Sequence, residues 1–286
     1  MKNEKQKTNN KRIPIITSIK EFEKRYKAIF IFGVCILLIL LAIQIYNFNS
    51  SVKKAYEYFK KNPDLINNYE YHPSVLSIIW RRTMSFTMIS NWILAISLTI
   101  FPFFRKSQRM QALFFATVVF ITITFIIYWS LISWTFKWRK NELDSGFINL
   151  FTHAITPIFA FISLGMIRKD ITIKHSQIWL TNTFVLGYFT YALIAFLIGQ
   201  RFANLANSTI DPYSVFDITI YKFLNFKKPL FYNGGKIGIV IFLDIIMFLI
   251  AFFLTPSLGY MWKGIFRIKT FSNIQNDDDN NVKVNF

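Results

Sequence analysis

The stretch "AIFIFGVCILLILLAIQIYNF", residues 28–48, runs for 21 residues without one charged side chain. Hydrocarbon about 30 Å thick calls for ~20 predominantly apolar residues per helical crossing. Five further runs reach that length, at about 84–104, 111–136, 148–167, 178–198 and 237–262. The fold class is therefore all-α: a polytopic membrane protein of six transmembrane helices, placed by localisation in the cell (plasma) membrane.

The composition agrees. Of 286 residues, 53% are hydrophobic and 33 are Phe, and they are bunched rather than spread. The first run is too long for a signal-peptide core and lacks a small-residue cleavage site, so it reads as a retained anchor. The single cysteine, Cys35, excludes an internal disulfide and a thiolate metal cluster, and reads as lipid-facing or packing filler. The net charge of +18 raises the question of nucleic acid, but the basic residues flank apolar runs instead of forming one face. They read as span anchors that attract anionic headgroups. The expected partners are membrane lipids, with no nucleic acid and no cofactor.

Three regions follow: a basic cytoplasmic segment 1–27, a six-helix membrane domain 28–262, and a polar tail 263–286. Basic residues in short loops orient a membrane protein. With both termini inside, the inner segments 1–27, 105–110, 168–177 and 263–286 hold 19 Lys plus Arg against 14 outside. "KWRK" at 137–140 argues the other way, but the N-terminal cluster dominates, giving N-in and C-in. "SSVKKAYEYFKKNP" places Val52, Ala55, Tyr56 and Phe59 on one stripe. That suits a short amphipathic helix on the outer surface, or a cap over the bundle. "NGG" at 233–235 reads as a turn before the last span. "NIQNDDDNNVKVNF" is acidic and low in complexity, as disordered tails are.

Polar side chains inside a span face the bundle interior or a wet cavity. Thr83, Thr87, Ser90 and Asn91 form one stripe in the second span. Asn149, Thr152, His153, Thr156 and Ser163 form another in the fourth, Tyr188 and Tyr191 lie three apart in the fifth, and Asp244 is the one acid of the sixth. At ~1.5 Å per residue, Thr87, His153 and Asp244 come out roughly 5, 8 and 10 Å below the same boundary. One polar pocket is the economical reading. The bland reading differs by residue. Thr and Ser often bond back to their own helix, and Thr156 repairs the backbone that Pro157 interrupts. His153 is the hardest to dismiss as packing. His72 and His175 read as surface residues.

A hydroxyl becomes a nucleophile when an imidazole can take its proton, and Thr87 with His153 is the pair best matched in depth. Asn91 is placed to donate to an oxyanion or to orient the imidazole, and Asp244 to fix its tautomer. Asn149, Thr156, Tyr188 and Tyr191 would complete the pocket. No metal centre is indicated, because the fourth span offers no second ligand at metal spacing.

The order "FTMISN" (86–91), "HAITPIF" (153–159), "GYFTYAL" (187–193) and "DPYSVFD" (211–217) resembles that of mollicute-type bacterial six-span membrane proteins. These are distantly similar to the androgen-induced membrane hydrolase family. The resemblance covers roughly residues 80–262. It implies hydrolysis of fatty-acid esters of hydroxy fatty acids, with Thr87 as nucleophile and His153 as base. Relatives often carry an acid shortly after the H-x-x-T-P element, where this chain has an apolar run and Ser163. The expected function is a Thr/His pocket hydrolysing lipid or fatty-acid esters. The competitors are a small-solute transporter or channel and a non-catalytic scaffold.

Overall fold

A computed structural model describes residues 17–61, 83–133, 143–203 and 221–270 of the chain. The acidic tail, His72, "KWRK" and "DPYSVFD" lie outside the described residues. The described chain is almost entirely helical. Its elements are α1 (Lys24–Lys61), α2 (Phe86–Phe104), α3 (Gln108–Ile127), α4 (Leu143–Leu150), α5 (Thr156–Ile167), α6 (His175–Ala203) and α7 (Ile237–Ile265). A π-helical turn, Phe151–Ile155, joins α4 to α5, so the two form one span; a second, Tyr128–Ile132, extends α3.

Six of these segments are long and apolar enough to cross a membrane, making this an all-α polytopic membrane protein. The 19 residues of α2 extend about 28 Å at the helical rise, the thickness of the hydrocarbon layer. Helix boundaries follow local chemistry. Ser85 caps α2, its Oγ accepting the Met88 N–H at 3.3 Å, which satisfies one of the donors a helix start leaves open. Gly235, at φ +69°, makes the turn before α7, a conformation glycine adopts without steric cost. The "SSVKKAYEYFKK" stripe is not a separate surface helix. It continues α1 without a break to Lys61, because no Gly or Pro interrupts the sequence there.

The core is asymmetric. In α3, 67% of the apolar window is buried, against 17% in α7. Phe114, Phe115, Val118, Val119 and Ile121 of α3 are all buried, so α3 is the central post and α7 an outer wall. Cys35 is exposed on α1, where lipid would cover it.

The segments expected on one side of the membrane meet at one end of the bundle. Thr172–Ile173 pairs in parallel with Lys269–Thr270. Gln108 Nε2 donates to the Thr172 carbonyl at 2.6 Å, and the Thr172 N–H donates to Gln111 Oε1 at 3.0 Å. The Tyr26 hydroxyl donates to Asp170 at 2.7 Å, and Arg25 reaches the same carboxylate at 2.8 Å. The Arg105 guanidinium lies 4.3 Å from the Tyr26 ring centroid. One polar layer thus ties the start of α1, the α2–α3 turn, the segment before α6 and the chain after α7.

The α1 and α2 backbones approach closely at Gly33. A Cβ on Gly33 would stand 2.5 Å from the Thr99 backbone nitrogen and 2.9 Å from the Leu98 carbonyl carbon. Backbone cannot move aside as a flexible side chain can, so overpacking here separates the helices. Gly33→Leu is expected to destabilise the bundle by about 1–3 kcal/mol. Thermal unfolding in detergent would show a lowered Tm, and an unchanged Tm would refute the close approach.

Candidate functional site

The site begins where α2 begins. The first N–H groups of a helix have no partner within it, and two residues from elsewhere attend to this end. The Thr87 N–H donates to the Tyr221 hydroxyl at 3.2 Å, and Thr87 Oγ1 shares a further 3.2 Å hydrogen bond with the same oxygen. Tyr188 of α6 donates to the Met84 carbonyl at 3.1 Å and stacks edge-on against Phe86. Tyr221 belongs to the segment between α6 and α7, which reaches in to cap α2. Burial pushes the Tyr221 hydroxyl up from its ordinary pKa, while its bonds to the α2 end pull the other way. The upward effect prevails, so the phenol keeps its proton at neutral pH.

One helical turn further along, Asn91 bridges α2 to the fourth span. Its Nδ2 donates to the Thr87 carbonyl at 2.8 Å and to the Thr152 carbonyl at 3.1 Å, while its Oδ1 accepts from Thr156 Oγ1. Both ends of the amide are engaged. Ser90 Oγ bonds back to the Thr87 carbonyl at 3.0 Å and pairs with Thr124 Oγ1 at 2.8 Å.

The opposite wall is built around Pro157. Proline has no N–H, so in a regular helix the carbonyl four residues earlier loses its donor. That carbonyl belongs to His153, and Trp129 supplies the missing donor, Nε1 to oxygen at 3.1 Å. The backbone before Pro157 widens to the π pattern, with the Thr156 N–H bonded to the Phe151 carbonyl. Thr152 Oγ1 caps the Ile148 carbonyl at 2.8 Å. The second π turn starts at Tyr128, whose ring stacks flat on His153, centroids 4.0 Å apart and planes 10° apart. π turns recur at functional sites because they re-aim side chains. Here two of them face each other and clamp one imidazole.

Between these walls lies a cavity of about 120 Å³, lined by sixteen residues. Thr87, Thr124, Tyr128, His153, Tyr188 and Tyr221 are among the sixteen, the other ten are apolar, and the surface the cavity presents is almost wholly apolar. Thr87 and His153 therefore share one cavity, but no hydrogen bond joins them among the described residues; the partner of Thr87 is Tyr221. His153 is only 7% exposed. Its Nδ1 is buried without a hydrogen-bond partner, and the Tyr128 ring covers one face of the imidazole.

The remaining expected pocket residues fall elsewhere. Asn91 and Thr156 sit behind the wall, holding α2 to the fourth span, so Asn91 has no free donor for an oxyanion. Asn149, Tyr191 and Asp244 do not line the cavity either. Asp244 Oδ1 is buried on α7 without a hydrogen bond, and no hydrogen bond joins Asp244 to His153 among the described residues. Sequence reading missed Tyr221, Tyr128 and Trp129. The aromatic run "YKFLNF" (221–226) was the available signal for Tyr221, since such a run in a loop suits one that re-enters apolar surroundings.

No known protein family, curated protein or solved structure matches this chain.

The bridging role of Asn91 is testable. Asn91→Leu removes three hydrogen bonds at a site with no exposure, while Ser90 still donates to the Thr87 carbonyl and Thr156 to the Thr152 carbonyl. Each lost bond costs about 0.5–1.5 kcal/mol, so unfolding in detergent should begin several degrees lower. A variant as stable as the parent would show that the bridge contributes little.

Proposed function

We propose that this multi-pass membrane protein is an intramembrane hydrolase of lipid or fatty-acid esters, with Thr87 as nucleophile and His153 as base. The observation that carries the reading is the shared cavity: Thr87 and His153, whose Nδ1 has no hydrogen-bond partner, both line one largely apolar chamber.

The chemistry is that of a two-step acyl transfer. Thr87 Oγ attacks the ester carbonyl while His153 accepts its proton. The tetrahedral oxyanion collapses, the carbon–alkoxide bond breaks, and the leaving oxygen takes the proton from His153. Water, deprotonated by the same imidazole, then releases the acid and restores Thr87. The Tyr128 stack orients the ring, in place of an acid. The resemblance to the androgen-induced hydrolases supports the same pair.

Access from lipid is also supported. Ile250 lines the cavity yet is 49% exposed on α7, the least buried span. A lipid can therefore approach sideways. The size of the cavity favours an ester with one slender chain over a bulky headgroup. The end of the bundle that holds the β1–β2 pair (Thr172–Ile173 with Lys269–Thr270) carries Lys20, Arg109, Lys169 and Lys263 among its basic residues, which suits contact with anionic headgroups. A plasma-membrane location fits this reading.

One observation favours a second reading. Because Thr87 Oγ1 is paired with Tyr221 and not with His153, the cavity would also serve to hold an amphipathic molecule without cleaving it. Turnover separates the two. Purified protein should hydrolyse a fluorogenic fatty-acid ester, and Thr87→Ala and His153→Ala should each slow it by about 10²–10⁴-fold with the Tm preserved. Parent and variants releasing fluorophore at equal rates would sink the hydrolase and leave the binding pocket.

A further inference from the structure

The last span carries a carboxyl group that nothing in the described chain answers. Asp244 follows the apolar run "IGIVIFL" (237–243) that opens α7. At ~1.5 Å per residue it stands about 10 Å along the helix, within the apolar part of the span. Its Oδ1 is buried and has no hydrogen-bond partner. The ion pairs among the described residues are those of Arg25, at the other end of the bundle. The neighbouring helix supplies no partner either. α6 runs antiparallel to α7, and the Phe189–Phe248 ring contact, centroids 6.1 Å apart, brings the apolar run "ALIAF" (192–196) level with Asp244. Asp244 also stands at a seam, because residues three and four apart share a helix face. Val240 and Met247 on one side of it are buried, whereas Ile241 and Phe248 on the other are 53% and 46% exposed, and Ile237 is 73% exposed. The acid thus borders the outward stripe of the least buried span.

We propose that this face of α7 docks the spanning helix of a second, different membrane protein, one that carries a lysine or arginine at the level of Asp244. Ionisable groups within a span are costly alone and are found paired, so an unanswered acid selects a base. The incoming cation pairs with the carboxylate, and the rest of the helix covers Ile237, Ile241 and Phe248. Charge decides the occupant. The six apolar runs of this chain hold no Lys or Arg, and His153, counted to a similar level, is 7% exposed and enclosed by the bundle. A second copy would therefore bring another acid to the seam instead of a base. A cationic amphiphile would supply the charge but leave most of the exposed stripe bare. The surface is independent of the Thr87–His153 cavity, which Asp244 does not line, and it stands or falls apart from the hydrolase.

The test places the full chain in phosphatidylcholine vesicles with a synthetic leucine–alanine spanning peptide of about 20 residues. Association is read by Förster transfer from a donor on the peptide to an acceptor on the protein. One peptide carries Lys about 10 Å from its end, a second carries Gln there and a third Leu. The Lys peptide should associate at least about tenfold more tightly than the other two. Asp244→Asn should erase that preference and Asp244→Glu should keep it. Asp244→Asn should melt no lower than the parent, since it removes an unpaired acid from a lipid-facing helix. Equal association of the three peptides, or a Lys preference that survives Asp244→Asn, would overturn the proposal. So would Asp244-dependent transfer between two labelled copies without peptide, which would make the occupant a second copy. Displacement of the Lys peptide by an equal membrane concentration of dodecylammonium would also overturn it, since charge alone would then suffice. If Asp244→Asn does not fold, the Lys-to-Gln ratio of the parent decides alone.

Discussion

A backbone carbonyl inside lipid has no water to turn to, and the site is organised around one such group. Pro157 deprives the His153 carbonyl of its helical donor. In hydrocarbon the unsatisfied group would cost several kcal/mol, so the chain answers locally. Trp129 Nε1 takes the carbonyl, the backbone widens into a π turn, and Thr152 Oγ1 satisfies the preceding turn. The same repair places the imidazole against Tyr128. The position of His153 is thus a consequence of where a proline sits, four residues further along.

The start of α2 poses the complementary problem, donors without acceptors. Ser85 answers for Met88, and Tyr221 answers for Thr87. One answer is local and belongs to the helix itself. The other comes from 134 residues away, which ties the α6–α7 segment to the bundle and closes the cavity. Asn91 then fixes the distance between the two walls by bonding both. Helix-end chemistry, proline repair and one bridging amide together set the geometry on which any chemistry in the cavity depends.

Much of this was legible from residues 28–48 outward. Run length alone gives six crossings, because the hydrocarbon thickness sets the length, and six successive crossings bring alternate connections to the same end of the bundle. That Thr87 and His153 meet at one cavity also followed from counting along the helices, since helical rise is nearly constant. Azimuth did not follow. Asn91 lies one turn from Thr87 and was expected to face the pocket, but small rotations decide whether a side chain meets a cavity or a neighbouring helix. Asp244, placed at a similar level by the same count, does not line the cavity for the same reason. Tyr221 was out of reach of any periodicity, because it acts from a loop whose path the spans do not dictate. The unbroken reach of α1 to Lys61 was missed because the amphipathic stripe after the span was read as a new element, although no breaker separates them.

The central claim is that Thr87 and His153 work as a unit inside the membrane. The most direct measurement is labelling of the purified protein with a lipid-like fluorophosphonate hydrolase probe, with the adduct located by mass spectrometry. The account predicts a single adduct on Thr87 that disappears in His153→Ala while Tyr221→Phe retains it. No adduct on Thr87, or one that forms equally well without the imidazole, would contradict it.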